Sequence, residues 1–382
     1  MYASFRHGLA LVMGWAVLVA VLFGSAGFAR AAVPGVAAVE VPAGVTAGVA
    51  VFDRQTGTFT EQLNADMQFR SASVVKLLIA LDHLWDRDPG SLPAADRARL
   101  DSMLRSSDDD AASFYWSQNG GGALVDRMVS RLHLTDTAGP PAGYPGYWGY
   151  TALSAADTVR IYRYLLDRAP AAVRDLVMGD LRASTRCGKD GFDQRFGIPA
   201  SFQQPWAVKQ GWSGFGNSGD CTNTTNTTAN TTTAPVKSVS PTGVDLTQKA
   251  LHTTGTVGAG DRAIVAVFTL QPQSTTFGAA YTNLDRLVRS LNVPGATRPA
   301  GAWFSTWGSG VRVRSDTTTT STVLTALPAG VEAQVACQKQ GETVTEGPYT
   351  NDWWAYLPLY GGYITNIYMK SPDNKLPGVP TC

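Results

Sequence analysis

Apolar and polar positions along the chain form patterns that predict both strands and helices. Gly48–Asp53 and Asp261–Leu270 have the apolar runs of strands, and the second run is typical of a strand in a covered sheet. The pattern also predicts helices, three between these strands and one after them: Ser73–Trp85, Gly122–Leu132, Ser154–Leu166 and Ala279–Leu291. This order predicts an α/β (α+β) fold, in which the terminal elements share one antiparallel sheet flanked by helices.

A different pattern follows residues 295–303, where glycines and Pro299 are typical of a short linker. Beyond it, short alternating segments are separated by turn residues, which predicts a small all-β domain. The segments are Gly310–Ser315, Leu327–Gly330, Val335–Gln338, Trp353–Tyr356 and Gly361–Thr365. We therefore expect two domains, residues 32–294 and residues 304–382.

The first 31 residues predict export. Arg6 and His7 precede an apolar stretch, Leu9–Phe23, and Ala29-Arg30-Ala31 fits an A-x-A cleavage site. The apolar stretch is short for a stable membrane span, although an uncleaved anchor remains an alternative. The protein is thus expected to be secreted or associated with the cell wall, with no membrane contact after cleavage.

Composition supports a globular exported protein. Hydrophobic residues make up 44% of the chain and the formal net charge is +1, with lysines and arginines scattered rather than clustered. A nucleic-acid partner is therefore not expected. Thr222–Thr233 is a low-complexity insert that contains three N-x-T patterns, at Asn223, Asn226 and Asn230.

Four cysteines in an exported chain suggest two disulfides, for which three pairings exist. We favour Cys187 with Cys221 and Cys337 with Cys382, because each pair then stays within one domain. The cysteines are widely spaced and lack histidines at ligand spacing, so no metal site is expected. His252 could border a cleft, but a satisfied core or surface histidine is the preferred interpretation.

Candidate chemistry begins at Ser73-Val-Val-Lys76, which places a hydroxyl and an amine one helical turn apart. If burial or neighbouring groups lower the pKa of Lys76, its amine can take the proton of Ser73. The motif is short enough to occur by chance, and a solvated Lys76 on an ordinary amphipathic helix is the alternative. Further motifs are needed to decide between them.

Two later segments supply such motifs: Ser107-Asp108-Asp109 and Lys209-Gln210-Gly211. In this order the three motifs resemble those of the penicillin-recognising serine hydrolases. Phe69, Ala111-Ala112 and Asn119–Gly122 add a resemblance to the class A β-lactamases, over roughly residues 45–295. The resemblance implies a β-lactamase/transpeptidase-like fold.

The resemblance also implies roles for individual residues. Ser73 would be acylated by a carbonyl carbon, with Lys76 as its base or proton relay. Ser107 would pass a proton to the leaving nitrogen, and Lys209 would hold the substrate carboxylate. The mechanism requires no cofactor. In the alternative interpretation, Ser107 and Asp109 merely cap a helix and Lys209 is a solvated strand residue.

The third motif would complete the substrate site. The backbone N–H groups of Ser73 and Trp212 would form the oxyanion hole. Gly211 would let the strand edge approach the substrate. Gln210 replaces a hydroxyl residue and could hydrogen-bond a carboxylate through its amide.

Asp109 departs from the family pattern, because it stands where an amide is usual. An ionised carboxylate only accepts hydrogen bonds, so a substrate amide carbonyl would lose its donor there. Asp109 beside Lys76 could also hold the lysine protonated and weaken it as a base.

A second departure from the family pattern is the absence of a glutamate. No glutamate occurs between Gln62 and Val331, whereas class A β-lactamases use one to activate the deacylating water. Asp136 is the only acid in the corresponding loop, residues 132–150. We expect slow deacylation, as in a penicillin-binding protein or a peptidase-like hydrolase acting on a β-lactam or on D-alanyl peptidoglycan peptide. The short stretch from Ser73 to Ser107 predicts an open cleft.

Residues 304–382 resemble a bacterial SH3-like domain, which implies binding of cell-wall peptide by an aromatic groove. The candidate residues are Trp353, Trp354, Tyr360 and Tyr363. The alternative is that these aromatic side chains fill a small barrel.

A competing hypothesis for the whole chain is a catalytically degenerate protein that binds cell-wall fragments.

Overall fold

The computed structural model describes residues 39–216, residue 221 and residues 244–382. The predicted signal peptide and the insert Thr222–Thr233 lie outside these residues, so both stay predictions. Within the described part of the chain, no helix combines the length and the apolar character needed to cross a membrane.

A five-stranded antiparallel sheet lies at the centre of residues 39–297, in the order β2-β1-β7-β6-β5. Its strands are β1 (Thr46–Asp53), β2 (Thr58–Leu63), β5 (Trp206–Ser213), β6 (Lys249–Val257) and β7 (Ala263–Gln271). A short pair, β3 (Phe69–Arg70) and β4 (Ala152–Leu153), lies apart from it. Thr46 pairs with Leu270 and Asp53 with Ala263, so the first and late strands are neighbours as predicted.

Helices cover both faces of this sheet. They are α1 (Lys76–Leu84), α2 (Ala94–Arg105), α3 (Asp109–Gln118), α4 (Gly122–Leu132), α5 (Ala155–Asp167), α6 (Ala171–Arg182), α7 (Ile198–Ser201) and α8 (Phe277–Ser290). Alternate residues of β7 point to opposite faces. Ala266 and Phe268 join the core formed with α1 to α6, whereas Val265 and Val267 join the core formed with α8. The expected antiparallel sheet flanked by helices is confirmed.

The regular structure of the C-terminal region, residues 302–382, consists of β-strands and one 3₁₀ turn, Asn366–Tyr368. Its strands are β8 (Ala302–Ser305), β9 (Val311–Arg314), β10 (Val323–Leu327), β11 (Glu332–Val335), β12 (Cys337–Glu346), β13 (Tyr349–Leu357) and β14 (Gly362–Thr365). They form one sheet of order β10-β9-β14-β13-β12 and a separate pair, β11-β8. Side chains of both sheets share one core, but no ladder joins the sheets within residues 302–382. The small all-β SH3-like barrel, expected from the resemblance, is therefore not confirmed.

Two disulfides link the cysteines, Cys187 with Cys221 and Cys337 with Cys382. These are the two favoured pairs. The second bond fastens the first residue of β12 to the last residue of the chain.

Candidate active site

Ser73 lies in a 3₁₀ turn, Ala72–Val75, that leads directly into α1. The sequence predicted a helical start at this residue, but α1 begins only at Lys76. In a 3₁₀ turn the side chains at i and i+3 eclipse one another. Accordingly, the Lys76 Nζ lies 3.0 Å from the Ser73 Oγ. Ala72 has φ +45°, a left-handed conformation that is strained in any residue but glycine and often marks functional sites.

Ser107 joins this pair from the turn between α2 and α3. Its backbone has φ +57°, a second strained position beside the same group of side chains. The Lys76 Nζ lies 2.6 Å from the Ser107 main-chain oxygen and 3.3 Å from its Oγ. The cap of α3 is Asp108, whose carboxylate accepts from the N–H groups of Asp110 and Ala111. Helix capping therefore does not account for Ser107.

Lys209 reaches the same hydroxyl from β5. Its Nζ lies 2.7 Å from the Ser107 Oγ. Lys76, Lys209, Ser73 and Ser107 are all buried, the two lysines to 0% and 1% exposure. Two amines and two hydroxyls from three separate segments thus form one connected network, and the alternative of a solvated Lys209 is wrong.

Burial controls the charge of both lysines. It lowers the pKa of Lys76, and Asp109 partly offsets that effect by favouring the protonated form. The pKa of Lys209 lies well below its usual value, mainly through burial and further through the positive charge of Lys76. Since two adjacent buried ammonium groups repel each other, the pair favours at least one neutral amine. A neutral amine beside Ser73 can accept its proton.

Asp109 makes the contact that the sequence suggested. Its Oδ1 lies 2.5 Å from the Lys76 Nζ, while its side chain is 69% exposed. The carboxylate therefore lies at the solvent side of the network and the lysine at the interior. Because the negative charge raises the pKa of Lys76, Asp109 opposes the lysine's use as a base.

Gly211 faces the turn that carries Ser73. A Cβ on Gly211 would lie 3.0 Å from the Ser71 main-chain oxygen and 3.1 Å from the Val74 Cγ2. The glycine thus permits close approach between β5 and the serine turn. The sequence argument had assigned this approach to the substrate instead.

Gln210 is not where the prediction placed it. Successive side chains of a strand point to opposite faces, so Gln210 points away from the network that Lys209 enters. Its buried amide donates to the main-chain oxygens of Gln194, at 3.0 Å, and Phe196, at 2.6 Å. With its donors engaged in the interior, Gln210 is not available to bind a substrate carboxylate.

The Trp212 side chain shares that opposite face. Its indole N–H donates to the Asp190 carboxylate at 3.0 Å, and its ring stacks on Phe192 with centroids 4.7 Å apart. The sequence analysis missed Asp190, although its negative charge acts on both Lys76 and Lys209. The assignment of the Trp212 backbone N–H to an oxyanion hole stays a prediction.

Trp148, which the sequence analysis also missed, covers the Lys76 amine. The amine lies 4.7 Å from the centre of the indole ring, and the indole N–H donates to the Ser113 Oγ at 3.1 Å. Asp136, the only acid of this loop, instead accepts from the Ser154 hydroxyl at 3.1 Å. The loop thus presents an aromatic ring to Lys76, and the high aromatic content of Tyr144–Tyr150 was the available signal.

His252 is a satisfied core histidine, as preferred from the sequence. Its Nδ1 accepts from the Thr269 N–H at 3.1 Å, so its Nε2 carries the proton and donates to the Arg70 main-chain oxygen at 2.9 Å. Complete burial lowers the pKa of His252 to about 3. The neutral ring joins β6 to the segment just before the serine turn.

The predicted aromatic groove of the C-terminal region is not formed by the four candidates. Trp354 is buried in the interior and Tyr360 is buried against Tyr281, whereas Trp353 and Tyr363 are half-buried. An open groove of about 510 Å³ lies on this region, and of the four candidates Trp354 alone lines it. Its lining also includes Trp307, Arg312, Arg314, Glu346 and Tyr368.

No group of three or more histidine, cysteine, aspartate and glutamate side chains is placed to hold a metal ion within residues 39–216, 221 and 244–382.

Comparison with known proteins gives partial likenesses. No family model matches the chain. "Putative lipoprotein LppW" of Mycobacterium tuberculosis (strain H37Rv) and its counterpart in Mycobacterium bovis are each 44% identical over 175 residues, 44% of this chain and 54% of the relative. The chain thus spans about half the length of the curated relatives it matches.

Among solved structures, a class A β-lactamase from Mycobacterium abscessus is 17% identical, with a TM-score of 0.45 over 65% of this chain and 92% of that chain. PBP-A is 15% identical, with a TM-score of 0.45 over 66% of this chain and 90% of that chain. A β-lactamase from Streptomyces albus G is 18% identical, with a TM-score of 0.43 over 65% and 92%. Likenesses at this level do not decide activity, which rests on the site itself.

Proposed function

We propose that this protein is an exported serine hydrolase of the penicillin-recognising type, which forms an acyl-enzyme at Ser73 with a β-lactam or a D-alanyl peptidoglycan peptide and releases it slowly. One observation carries the proposal: the buried Lys76 Nζ lies 3.0 Å from the Ser73 Oγ, within a network that continues through Ser107 to Lys209. Burying two lysines is costly, and buried groups with depressed pKa values cluster at functional sites.

Acylation follows from this geometry. The Ser73 Oγ attacks the carbonyl carbon while its proton moves to the neutral Lys76 amine. An O–C bond forms, and the C–N bond of the substrate breaks. The leaving nitrogen takes the Ser107 hydroxyl proton, and the protonated Lys76 returns a proton to Ser107. Lys209 stabilises negative charge near Ser107 and can hold a substrate carboxylate.

The surroundings of Lys76 support slow deacylation. Hydrolysis of the acyl-enzyme needs a water molecule and a base on the exposed side of the ester. The 132–150 loop places the Trp148 ring over Lys76, while Asp136 is hydrogen-bonded to Ser154. An indole cannot accept the proton of an attacking water. The acyl-enzyme should therefore persist.

Export is part of the proposal. Disulfides persist in oxidising compartments, and this chain has two. The signal-like first 31 residues point the same way. The LppW proteins, 44% identical over 175 residues, are described as lipoproteins. We infer an extracytoplasmic, cell-wall-facing location for this chain.

The decisive experiment follows intact mass over time after mixing the mature chain with a fluorescent penicillin. Wild type should gain one adduct that lasts for hours, and Ser73→Ala should gain none. Ser117→Ala, which removes an exposed hydroxyl of α3, is the matched control and should label like wild type. Rapid hydrolysis without a lasting adduct would indicate an efficient lactamase, and no reaction at all would refute the acylation proposal.

A second function is supported by the groove of the C-terminal region. Trp307 is 42% exposed, and its ring lies 5.4 Å from Tyr368, whose hydroxyl donates to Glu346 at 2.9 Å. Arg312 adds an exposed cation to the lining. Aromatic faces with charges of both signs suit a peptide that carries a carboxylate and an amine. We infer that this SH3-like region binds cell-wall peptide here.

Sedimentation with purified cell-wall sacculi tests this second function. Trp307→Ala should reduce the bound fraction severalfold, whereas Trp353→Ala should leave it near the wild-type level. The reverse result would place the site at the aromatic residues favoured by the sequence. Wall binding without any Ser73 adduct would support the competing function, a catalytically degenerate wall-binding protein.

A further inference from the structure

The segment Ser184–Gly197, here called the bridging loop, contacts the backbone around the second motif. The Lys189 N–H donates to the Ser106 main-chain oxygen at 2.7 Å, and the Thr185 N–H donates to the Arg105 oxygen at 3.0 Å. These residues end α2 and lead into Ser107, whose strained backbone lies outside any helix or strand and whose main-chain oxygen accepts from Lys76. The bridging loop therefore helps to set the position of Ser107.

The same loop also contacts the strand that carries Lys209. The Gln210 amide donates to the main-chain oxygens of Gln194 and Phe196. The Trp212 indole donates to the Asp190 carboxylate. Two neighbours of Lys209 are thus fastened to the bridging loop on the face of β5 opposite the catalytic network. A shift of this loop would change the separation of Lys209 and Ser107, now 2.7 Å.

The C-terminal region holds the other side of the bridging loop. The Arg186 guanidinium lies 4.8 Å from the centre of the Tyr360 ring and donates to the Leu324 main-chain oxygen at 3.3 Å. It also pairs with Asp193, within the loop, at 3.1 Å. Arg186 is thus a direct link between the bridging loop and residues 302–382.

A second link passes through two tyrosines. The Tyr281 hydroxyl of α8 donates to the Arg195 main-chain oxygen at 2.6 Å and lies 3.2 Å from the Tyr360 hydroxyl. Because the Tyr281 proton is given to Arg195, the Tyr360 hydroxyl is the donor between the two rings. This pair is buried, so removing the Tyr360 hydroxyl leaves the Tyr281 oxygen without its donor.

The C-terminal region is itself fastened to α8. Glu332 accepts from Arg286 at 3.0 Å and from Arg289, and its N–H donates to the Thr282 Oγ1 at 2.8 Å. A Cβ on Gly278 would lie 2.1 Å from the Ala329 main-chain oxygen, which shows how closely the two backbones approach. The Arg186 and Tyr360 contacts thus rest on a fixed support.

We propose that residues 302–382 are a positioning part of the catalytic site: Arg186 and Tyr360 hold the bridging loop, and the bridging loop holds Ser107 and Lys209 at reacting distance. This inference rests on the proposed acylation. It makes Arg186 and Tyr360 positioning residues, since neither touches Ser73 or Lys76 among the described contacts. The groove at Trp307 belongs to the same region. A ligand bound there would therefore contact the part of the chain that holds the bridging loop.

The test uses the full mature chain with Arg186→Met and Tyr360→Phe, and Arg186→Lys as the conservative rescue. Arg174→Met and Tyr356→Phe are matched controls on an exposed face of α6 and on the C-terminal sheet. The acylation rate constant at saturating penicillin should fall at least tenfold in Arg186→Met and severalfold in Tyr360→Phe. The penicillin concentration for half-maximal rate should change less than twofold, and Arg186→Lys should recover part of the rate.

Two further readouts separate positioning from general destabilisation. Looser packing lets water reach Lys76 and reverses the burial that lowers its pKa, so the acidic limb of the acylation profile should move to higher pH in both variants. Hydrogen exchange of peptides spanning residues 184–197 and 206–213 should accelerate, while a peptide spanning β1 should exchange as in wild type.

Unchanged exchange in the bridging loop, or acylation and pH profiles like those of the controls, would overturn the inference. Failure of wild type itself to form an adduct would refute the proposed function instead. In that case the hydrogen-exchange comparison still decides whether the C-terminal region holds the bridging loop.

Discussion

The Trp148 indole ring lies over the Lys76 amine, with 4.7 Å from the nitrogen to the ring centre. The ring face attracts a cation and also shields the amine from water. In the proposed mechanism, this residue of the 132–150 loop favours the protonated amine and limits the access of a deacylating water.

Trp148→Glu should shorten the lifetime of the penicillin adduct, by tenfold or more, because it places a carboxylate base beside the ester. Intact-mass measurement after removal of free penicillin gives the release rate. Trp148→Gln serves as the control, because glutamine is nearly the same size as glutamate and carries no charge. Equal release from both variants would mean that water access, rather than a base, limits deacylation.

Asp109→Asn should allow acylation at lower pH. The Asp109 carboxylate raises the pKa of Lys76, so removing the charge lowers that pKa further and leaves more neutral amine. In the pH profile of the acylation rate, the acidic limb should move to lower pH by about 1 unit, as expected for loss of a contacting charge. Asp110→Asn, a neighbouring exposed change, should leave the profile in place; a shift to higher pH in Asp109→Asn would contradict the assigned role.

Lys209→Met should raise the free energy of unfolding and slow acylation. The unfolded chain keeps this lysine protonated up to about pH 10.5, whereas the pKa of native Lys209 is well below that value. The unfolded state thus binds more protons in this window, and wild-type stability falls as pH falls through it. Methionine removes the cost, so the free energy of unfolding in urea should rise by about 1 to 2 kcal/mol at pH 7 and by less at pH 10.

Acylation by Lys209→Met should be at least a hundredfold slower, since Ser107 loses its hydrogen-bond partner and the site loses the amine proposed to hold the substrate carboxylate. A variant that is both less stable and fully active would show that Lys209 is an ordinary structural lysine. Lys189→Met, an exposed change in the bridging loop, is the control for loss of one positive charge.

His252 should make the protein sensitive to acid. Its native pKa is about 3, and about 6.5 is expected when unfolded. The stability it contributes is complete above pH 6.5 and is lost as pH falls towards 3, at up to about 1.4 kcal/mol per pH unit. Urea unfolding between pH 7 and pH 4 should show a flatter dependence in His252→Gln. His133→Asn, at an exposed helix end, should keep the wild-type slope; equal slopes in all three proteins would exclude His252 as the cause.

Local pattern predicted the elements that position the site. The helix predicted at Gly122–Leu132 has those bounds in the structure, and Lys209 lies in a strand, β5, as expected for its motif. Ser154 was expected to begin a helix and is the cap of α5, accepting from the Asp157 N–H. Such features depend on residues close in the chain, whose spacing the sequence displays directly.

Side-chain orientation at the site was predicted less well. Gln210 adjoins Lys209 in the motif, yet it points to the opposite face and donates to Gln194 and Phe196. Tyr360 was assigned to a ligand groove, yet it is buried against Tyr281. Motif membership does not say which face of a strand is the catalytic one, nor which aromatic residue meets another part of the chain.

The sequence by itself determined the element types, the antiparallel sheet shared by the early and late strands, the two cysteine pairs, and the set Ser73, Lys76, Ser107 and Lys209. The element types follow from periodicity, the favoured cysteine pairs from keeping each pair within one domain, and the four site residues from the resemblance carried by the three motifs. Only the tertiary structure decided that Trp148 covers the amine, that Asp190 acts on both lysines, and that the C-terminal region holds the bridging loop. Those relations join residues far apart in the chain, and their energies depend on burial and distance, which exist only once the chain is folded.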